Sequence, residues 1–329
     1  MKALTIAAGI ATTASMAMAD VPVLTIYTYD SFVSEWGPGP AVESAFEETC
    51  GCDLQFVSVG DGAEILARLR LEGARSPADL ALGLDANLMA AASATGLFAP
   101  AQIETPALDL PIAWKDDTFI PFDWGWFAFV YDKEKVPEPP RSFDELIASG
   151  HSLVIQDPRS STPGLGLLLW VKSVYGDAAG EAWEQLNEQV VTVTKGWTEA
   201  YGMFLEGEAD MVLSYTTSPA YHLIAEDDDS KAAAAFDEGN YLQIEVAAKL
   251  ASSDQPELAD AFLEFMLSDA FQSVIPTTNW MYPAVTPADG LPQGFETLAH
   301  PETSRIYLGD EAREMRDVAL AEWLAASTR

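Results

Sequence analysis

Between Val23 and Gly83 the chain reads strand, helix, strand, helix, strand, and this rhythm limits the fold more than any other feature. Val23 to Tyr29 (VLTIYTY) alternates as a strand entering a core does. A helix follows from about Ala41 to Glu48, then a strand from Asp53 to Val59 and a tight turn at Gly60-Asp61-Gly62. Ala63 to Glu72 is a second helix with Ile65, Leu66 and Leu69 inward, and Ala78 to Gly83 is a third strand. Strands alternating with helices predict a parallel sheet with covering helices. Right-handed crossovers set the strand-end loops along one edge, where open α/β sheets bind ligands.

Two other extended runs suggest where the chain crosses between domains. Phe119 to Val136 contains PFDWGWFAFVY, long and aromatic, and the stiff connector Pro137-Glu138-Pro139-Pro140 ends it. Tyr241 to Ala248 (YLQIEVAA) is a candidate return. Met1-Lys2, the apolar run Ala3 to Ala11 and the Ala17-Met18-Ala19 end have the form of a secretory signal peptide over residues 1–19. A buried N-terminal element is the other reading, but Asp20-Val21-Pro22 suits a mature start. About 310 residues then remain, for which two domains are the default. A net charge of −34 repels nucleic acid and anionic membranes; a saline habitat is another source of such acidity. Asp227-Asp228-Asp229 reads as a solvated loop. Cys50 and Cys52 are a tight disulfide, free thiols or, with no evident base, reactive groups.

The candidate site gathers where strands hand over to loops. Val191 to Thr194 is a β-branched run broken by Gly196-Trp197, and a helix carrying Tyr201, Phe204 and Leu205 on one face follows. A buried strand, Asp210 to Ser214, then leads into Tyr215-Thr216-Thr217-Ser218, with Pro219 placed to start a helix and Tyr221 beside it. Ser161 and Thr162 precede another helix, as a plain N-cap or as an anion seat. Asp61 is a turn residue or a countercharge. Tyr29, Trp36, Trp197 and Trp280 are cleft walls or core, whereas Trp170, Trp183 and Trp323 suit a core. Trp124 and Trp126 either line the cleft or pack. Indole and phenol faces with a carboxylate suit a flat cationic heteroaromatic, with or without a phosphate. No Ser-His-Asp order, metal motif or Walker loop is present, which argues against an enzyme.

The strings VLTIYTYDSF, WGPGP, ALGLDANL, PFDWGWFAFVYDK, QDPRSSTPGLGLLLW, TVTKGWTEAYG, VLSYTTSPAYH and IPTTNWMYP resemble the thiamine-binding periplasmic proteins of ABC-type thiamine importers, within the periplasmic solute-binding superfamily. That resemblance implies an α/β, two-lobed binding-protein fold of type II. Each lobe is then a mostly parallel sheet flanked by helices, with the ligand cleft between them. Residues 20–125 and 248–329 would form the first lobe and 126–247 the second. It implies thiamine, thiamine monophosphate or thiamine diphosphate as ligand and no cofactor, in a periplasmic monomer that serves permease subunits of the inner membrane. Carried over by position, the contacts are Asp61, Gly62, Ser161, Thr162, Trp197, Tyr215, Thr216, Thr217 and Ser218, with Tyr29, Trp36, Tyr221 and Trp280 as further walls. Two rivals remain. One is a receptor of the same build for a polyamine or for ferric ion, which would want paired tyrosines such as Tyr215 and Tyr221. The other is a thiamine-cleaving enzyme with a cysteine nucleophile.

Overall fold

A computed structural model describes residues 21–328, so the expected leader lies outside the described residues. The first half runs β1 (Val23–Thr28), α1 (Gly39–Cys50), β2 (Asp53–Ser58), α2 (Gly62–Glu72), β3 (Leu80–Asp85), α3 (Met89–Ser93) and β4 (Phe98–Ala99). The long strand β5 (Ile120–Asp132) leads into α4 (Phe143–Ser149), β6 (Leu153–Gln156), α5 (Thr162–Tyr175), α6 (Ala179–Leu186) and β7 (Val190–Thr194). There follow α7 (Trp197–Leu205), β8 (Met211–Tyr215), α8 (Pro219–Ala225) and β9 (Lys231–Ala233). β10 (Asn240–Leu250) returns, and α9 (Pro256–Met266), α10 (Asp269–Gln272), α11 (Ile275–Thr278), β11 (Tyr282–Pro283), β12 (Ser304–Arg305) and α12 (Gly309–Ser327) complete the chain. α10 and α11 are two short helices rather than one, because Pro276 begins a new turn more readily than it continues an old one.

The main sheet path is β2-β1-β3-β10-β5-β8-β6-β7. β1 pairs in parallel with β2 and β3, and β6 in parallel with β7 and β8. The two crossing strands join these halves. β5 lies antiparallel to β10 up to Trp126, opposite Leu242, and from Phe127, opposite Tyr215, it lies antiparallel to β8. The architecture is the two-lobed, type II arrangement, with the crossing strands where the two extended runs place them. Cys50 and Cys52 are joined in a disulfide where α1 ends, and Gly51 between them takes the left-handed conformation a helix end favours.

The C-terminal helix departs from the expected division. α12 packs against α5 and α6 of the second half, not only against the first. The cause lies in α5, whose run Thr162 to Lys172 is buried on every face. A helix apolar all round needs cover on every side, and α12 supplies part of it. Lys172 Nζ meets Glu322 Oε1 at 2.7 Å, and Trp323 is buried. Trp170 and Trp183 are likewise core, as is Trp126, while Trp124 stacks on Tyr282 at 4.6 Å. No helix among the described residues is long and apolar enough to cross a membrane.

Candidate functional site

A cavity of about 600 Å³ opens between the two halves. Of the expected site residues, Tyr29, Trp36, Asp61, Trp197, Tyr215, Ser218, Tyr221 and Trp280 line it. The walls are aromatic and come from both sides. Trp36, at 50 % exposure, faces Trp197 with ring centres 6.4 Å apart. Tyr221 meets Trp280 edge-on at 5.4 Å. Trp280 takes a positive φ of 56°, uncommon for a bulky residue and found where a site dictates the backbone.

Trp197 is braced from behind. Its ring stacks on Tyr201 at 5.0 Å, and its Nε1 donates to Ser214 Oγ at 2.7 Å. Ser214 Oγ is in turn 2.7 Å from Ser218 Oγ. The Tyr201 hydroxyl pairs with His222 Nε2 at 3.0 Å, and His222 Nδ1 with Glu226 at 2.7 Å. The hydroxyl row after β8 is therefore mostly scaffold. Thr216 is buried with its N–H donated to the Trp126 carbonyl, and the Thr217 hydroxyl points to Met281 Sδ at 3.6 Å. Neither lines the cavity, because the turn from β8 into α8 directs them inward.

Gly62, Ser161 and Thr162 also lie behind the cavity surface, and the reason is Asp61. Its carboxylate accepts from Gly62 N–H at 2.8 Å as N-cap of α2, and from Ser161 Oγ, across the cleft, at 2.7 Å. The Thr162 N–H also donates to it. The free N–H groups and positive dipole end of α5 are an anion seat, and in this closed arrangement Asp61 fills it. Burial pushes the Asp61 carboxyl up, against the pull of Ser161 and those N–H groups. Gly62 is a contact point of the same kind. A Cβ there would lie 2.5 Å from Thr162 Oγ1 and 2.8 Å from the Gly83 carbonyl oxygen.

Several cavity residues escape the sequence reading: Glu64, Lys195, Glu199, Glu245, Asn279 and Met281. Lys195 is already paired with Glu64 at 3.1 Å. With Asp61, the lining carries Asp30, Glu64, Glu199 and Glu245 against that single lysine, a balance that suits a cation. Glu245 is the acid on the floor. It accepts from the Tyr29 hydroxyl at 2.9 Å and from Gln243 at 2.9 Å. Behind it Asp123 accepts from Asn279 at 2.5 Å. Both acids lie in strands buried along most of their length, and a carboxylate inside such a run is the signal that marks them.

Burial pushes these acids well above the usual carboxylate range, Asp85 up to about 6 and Asp123 up to about 8, and Glu245 is raised as well. Groups raised on folding stabilise fully below their unfolded values, and that stability is lost as pH rises through the folded ones. The ligand-free protein is accordingly expected to melt progressively lower from about pH 5 to about pH 8, by roughly 2–4 °C for each kcal/mol lost. A flat or rising melting temperature over that window, followed by calorimetry, contradicts the assignment of buried protons to this cluster.

A family model described as bacterial extracellular solute-binding protein matches residues 33–273. The chain is 56 % identical over 310 residues to the thiamine-binding periplasmic protein of Salmonella typhimurium, covering 94 % of each. It is 53 % identical over 308 residues to the protein of that name from Brucella abortus, covering 93 % of this chain and 92 % of that one. A solved structure described as a periplasmic thiamin binding protein superposes with a TM-score of 0.91 at 54 % identity, over 98 % of this chain and all of the other. A ferric binding protein from Campylobacter jejuni shares the fold alone, with a TM-score of 0.74 at 20 % identity over 92 % and 99 %.

Proposed function

The chain belongs to the bacterial extracellular solute-binding proteins, and on that premise we propose that it captures thiamine and hands it on for import. The carrying observation is the cavity itself: aromatic faces from both halves over a floor of carboxylates, with one lysine already neutralised. Thiazolium is a flat cation, and each aromatic face contributes about 0.5–2 kcal/mol to holding it once water is excluded. The high identity to thiamine-binding periplasmic proteins supports the same ligand.

The protein works in the periplasm, exported by residues 1–19, as a monomer that offers its closed form to permease subunits. Lobe one is 20–125 with 248–329 less α12, and lobe two is 126–247 with α12 docked on it. Closure is favoured because the ligand touches both sides, and the Asp61–Ser161 bond spans the same gap. A phosphorylated vitamer reaches the seat at α5 only where Asp61 yields it. The ligand leaves unaltered: both cysteines are tied in a disulfide and neither lines the cavity, which leaves a thiamine-cleaving reaction without a thiol nucleophile. Ferric ion is the weaker reading, since the relatives at 53–56 % identity are named for thiamine while the ferric binding protein shares only the fold, at 20 % identity.

Titrating thiamine against intrinsic tryptophan fluorescence is expected to give saturable quenching with one site, and chromatography after overnight incubation to return the vitamin whole. Released pyrimidine would reverse the reading, and so would an unresponsive spectrum.

A further inference from the structure

The cavity floor has a feature that vitamin binding alone does not require. Glu245 of β10 lies directly opposite Asp85 of β3 on one side and Asp123 of β5 on the other. Directly opposed residues share a sheet face, so three acids form one rung across three neighbouring strands, at the point where the chain crosses between the halves. Like charges so opposed are destabilising. The register of β10 slips immediately after Glu245 against β5, and one residue later against β3. None of the three has a lysine, arginine or histidine as a hydrogen-bond or ion-pair partner among the described residues.

The groups facing Glu245 are the Tyr29 hydroxyl beyond β1, Asp61 at the start of α2, Asp85, Asp123 and the Tyr215 hydroxyl of β8, with neutral Gln243 beside it. Asp123 lies directly across from Glu245 and accepts from Asn279 through its Oδ2. Its Oδ1 is wholly buried and has no partner, as is Gln243 Oε1. A buried carboxyl pair with no countercation stays neutral enough by sharing a proton. Glu245 also lines the cavity, so a cation placed there becomes the missing countercharge.

We propose that Asp123 and Glu245 hold one proton between them in the free protein and release it to solvent when the ligand's positive charge arrives. Capture is then an exchange of a cation for a proton, and the site binds more tightly as pH rises through the range in which the pair is half-protonated. This rests on thiamine being the ligand.

The test is isothermal titration of the intact mature protein with thiamine at about pH 7.5, where the vitamin's aminopyrimidine is neutral, in phosphate and in Tris, whose protonation heats differ. The expected result is a buffer-dependent enthalpy equivalent to release of ~0.5 proton, with affinity tightening about threefold per pH unit. Glu245→Gln, which keeps the shape and the bond from Tyr29, is expected to bind with equal enthalpy in both buffers. Identical wild-type enthalpies with clear binding would overturn the proton exchange and leave the thiamine reading standing. Absence of binding in either buffer would overturn both.

Discussion

Gly62→Ala weakens thiamine binding at least about 100-fold, or about 2.7 kcal/mol. Nothing in local backbone preference opposes the change. Gly62 begins α2 with no left-handed φ, and alanine is the better helix former by about 1 kcal/mol. The obstacle is space. The new Cβ would stand 2.5 Å from Thr162 Oγ1 of the opposite half and 2.8 Å from the Gly83 carbonyl of its own. Real Cβ contacts are essentially never so short, so the halves must part by some tenths of an ångström. That motion also stretches the Asp61–Ser161 bond one residue away, so the variant loses both contact and latch in the closed state, while the open state keeps only the clash with Gly83. Removing the opposing hydroxyl with Thr162→Ala in the same chain is expected to recover about tenfold, about 1.4 kcal/mol, since only the cross-cleft share of the clash is relieved. Titration with melting curves on all three proteins decides it. Wild-type affinity in Gly62→Ala would refute closure at this point.

How much of this was readable without coordinates follows from the range of each signal. The alternation of Val23 to Gly83 and the long aromatic run at Phe127 are local patterns, and the fold they specify is the one observed. The loop tryptophans were separable from core ones because Trp36, Trp197 and Trp280 lie in Gly/Pro-rich or broken segments, and all three line the cavity. What failed to show was partnership across distance. That Asp61 spends its carboxylate on Ser161, 100 residues away, cannot be seen in a turn that looks like any Gly-Asp-Gly. The hydroxyls of Thr216 and Thr217 looked like ligand contacts, yet the direction of a short turn decides such things, and it sends them inward. Asp123 and Glu245 are plain in the chain, but their opposition depends on strand register. The docking of α12 onto α5 depends on which of two apolar faces is left uncovered, a question of assembly order and shape.

Trp197→Ala is the second large effect: at least a tenfold loss of affinity, about 1.4 kcal/mol. The side chain does three things at once. Its outer face looks into the cavity opposite Trp36, its inner face stacks on Tyr201 at 5.0 Å, and its Nε1 donates to Ser214. Truncation removes a wall for the cation, worth about 0.5–2 kcal/mol by itself. It also lets water reach Glu245 on the floor, where screening weakens the attraction to the ligand. Trp36→Ala should cost less, because that ring is half exposed and water already dilutes its pull. Trp197→Phe separates the roles: it keeps a face over Tyr201 but gives up the bond to Ser214, and is expected to fall between wild type and alanine. Should the phenylalanine and alanine variants bind equally weakly, the indole N–H and its placement of Ser214 and Ser218, rather than the aromatic face, would be what holds the ligand.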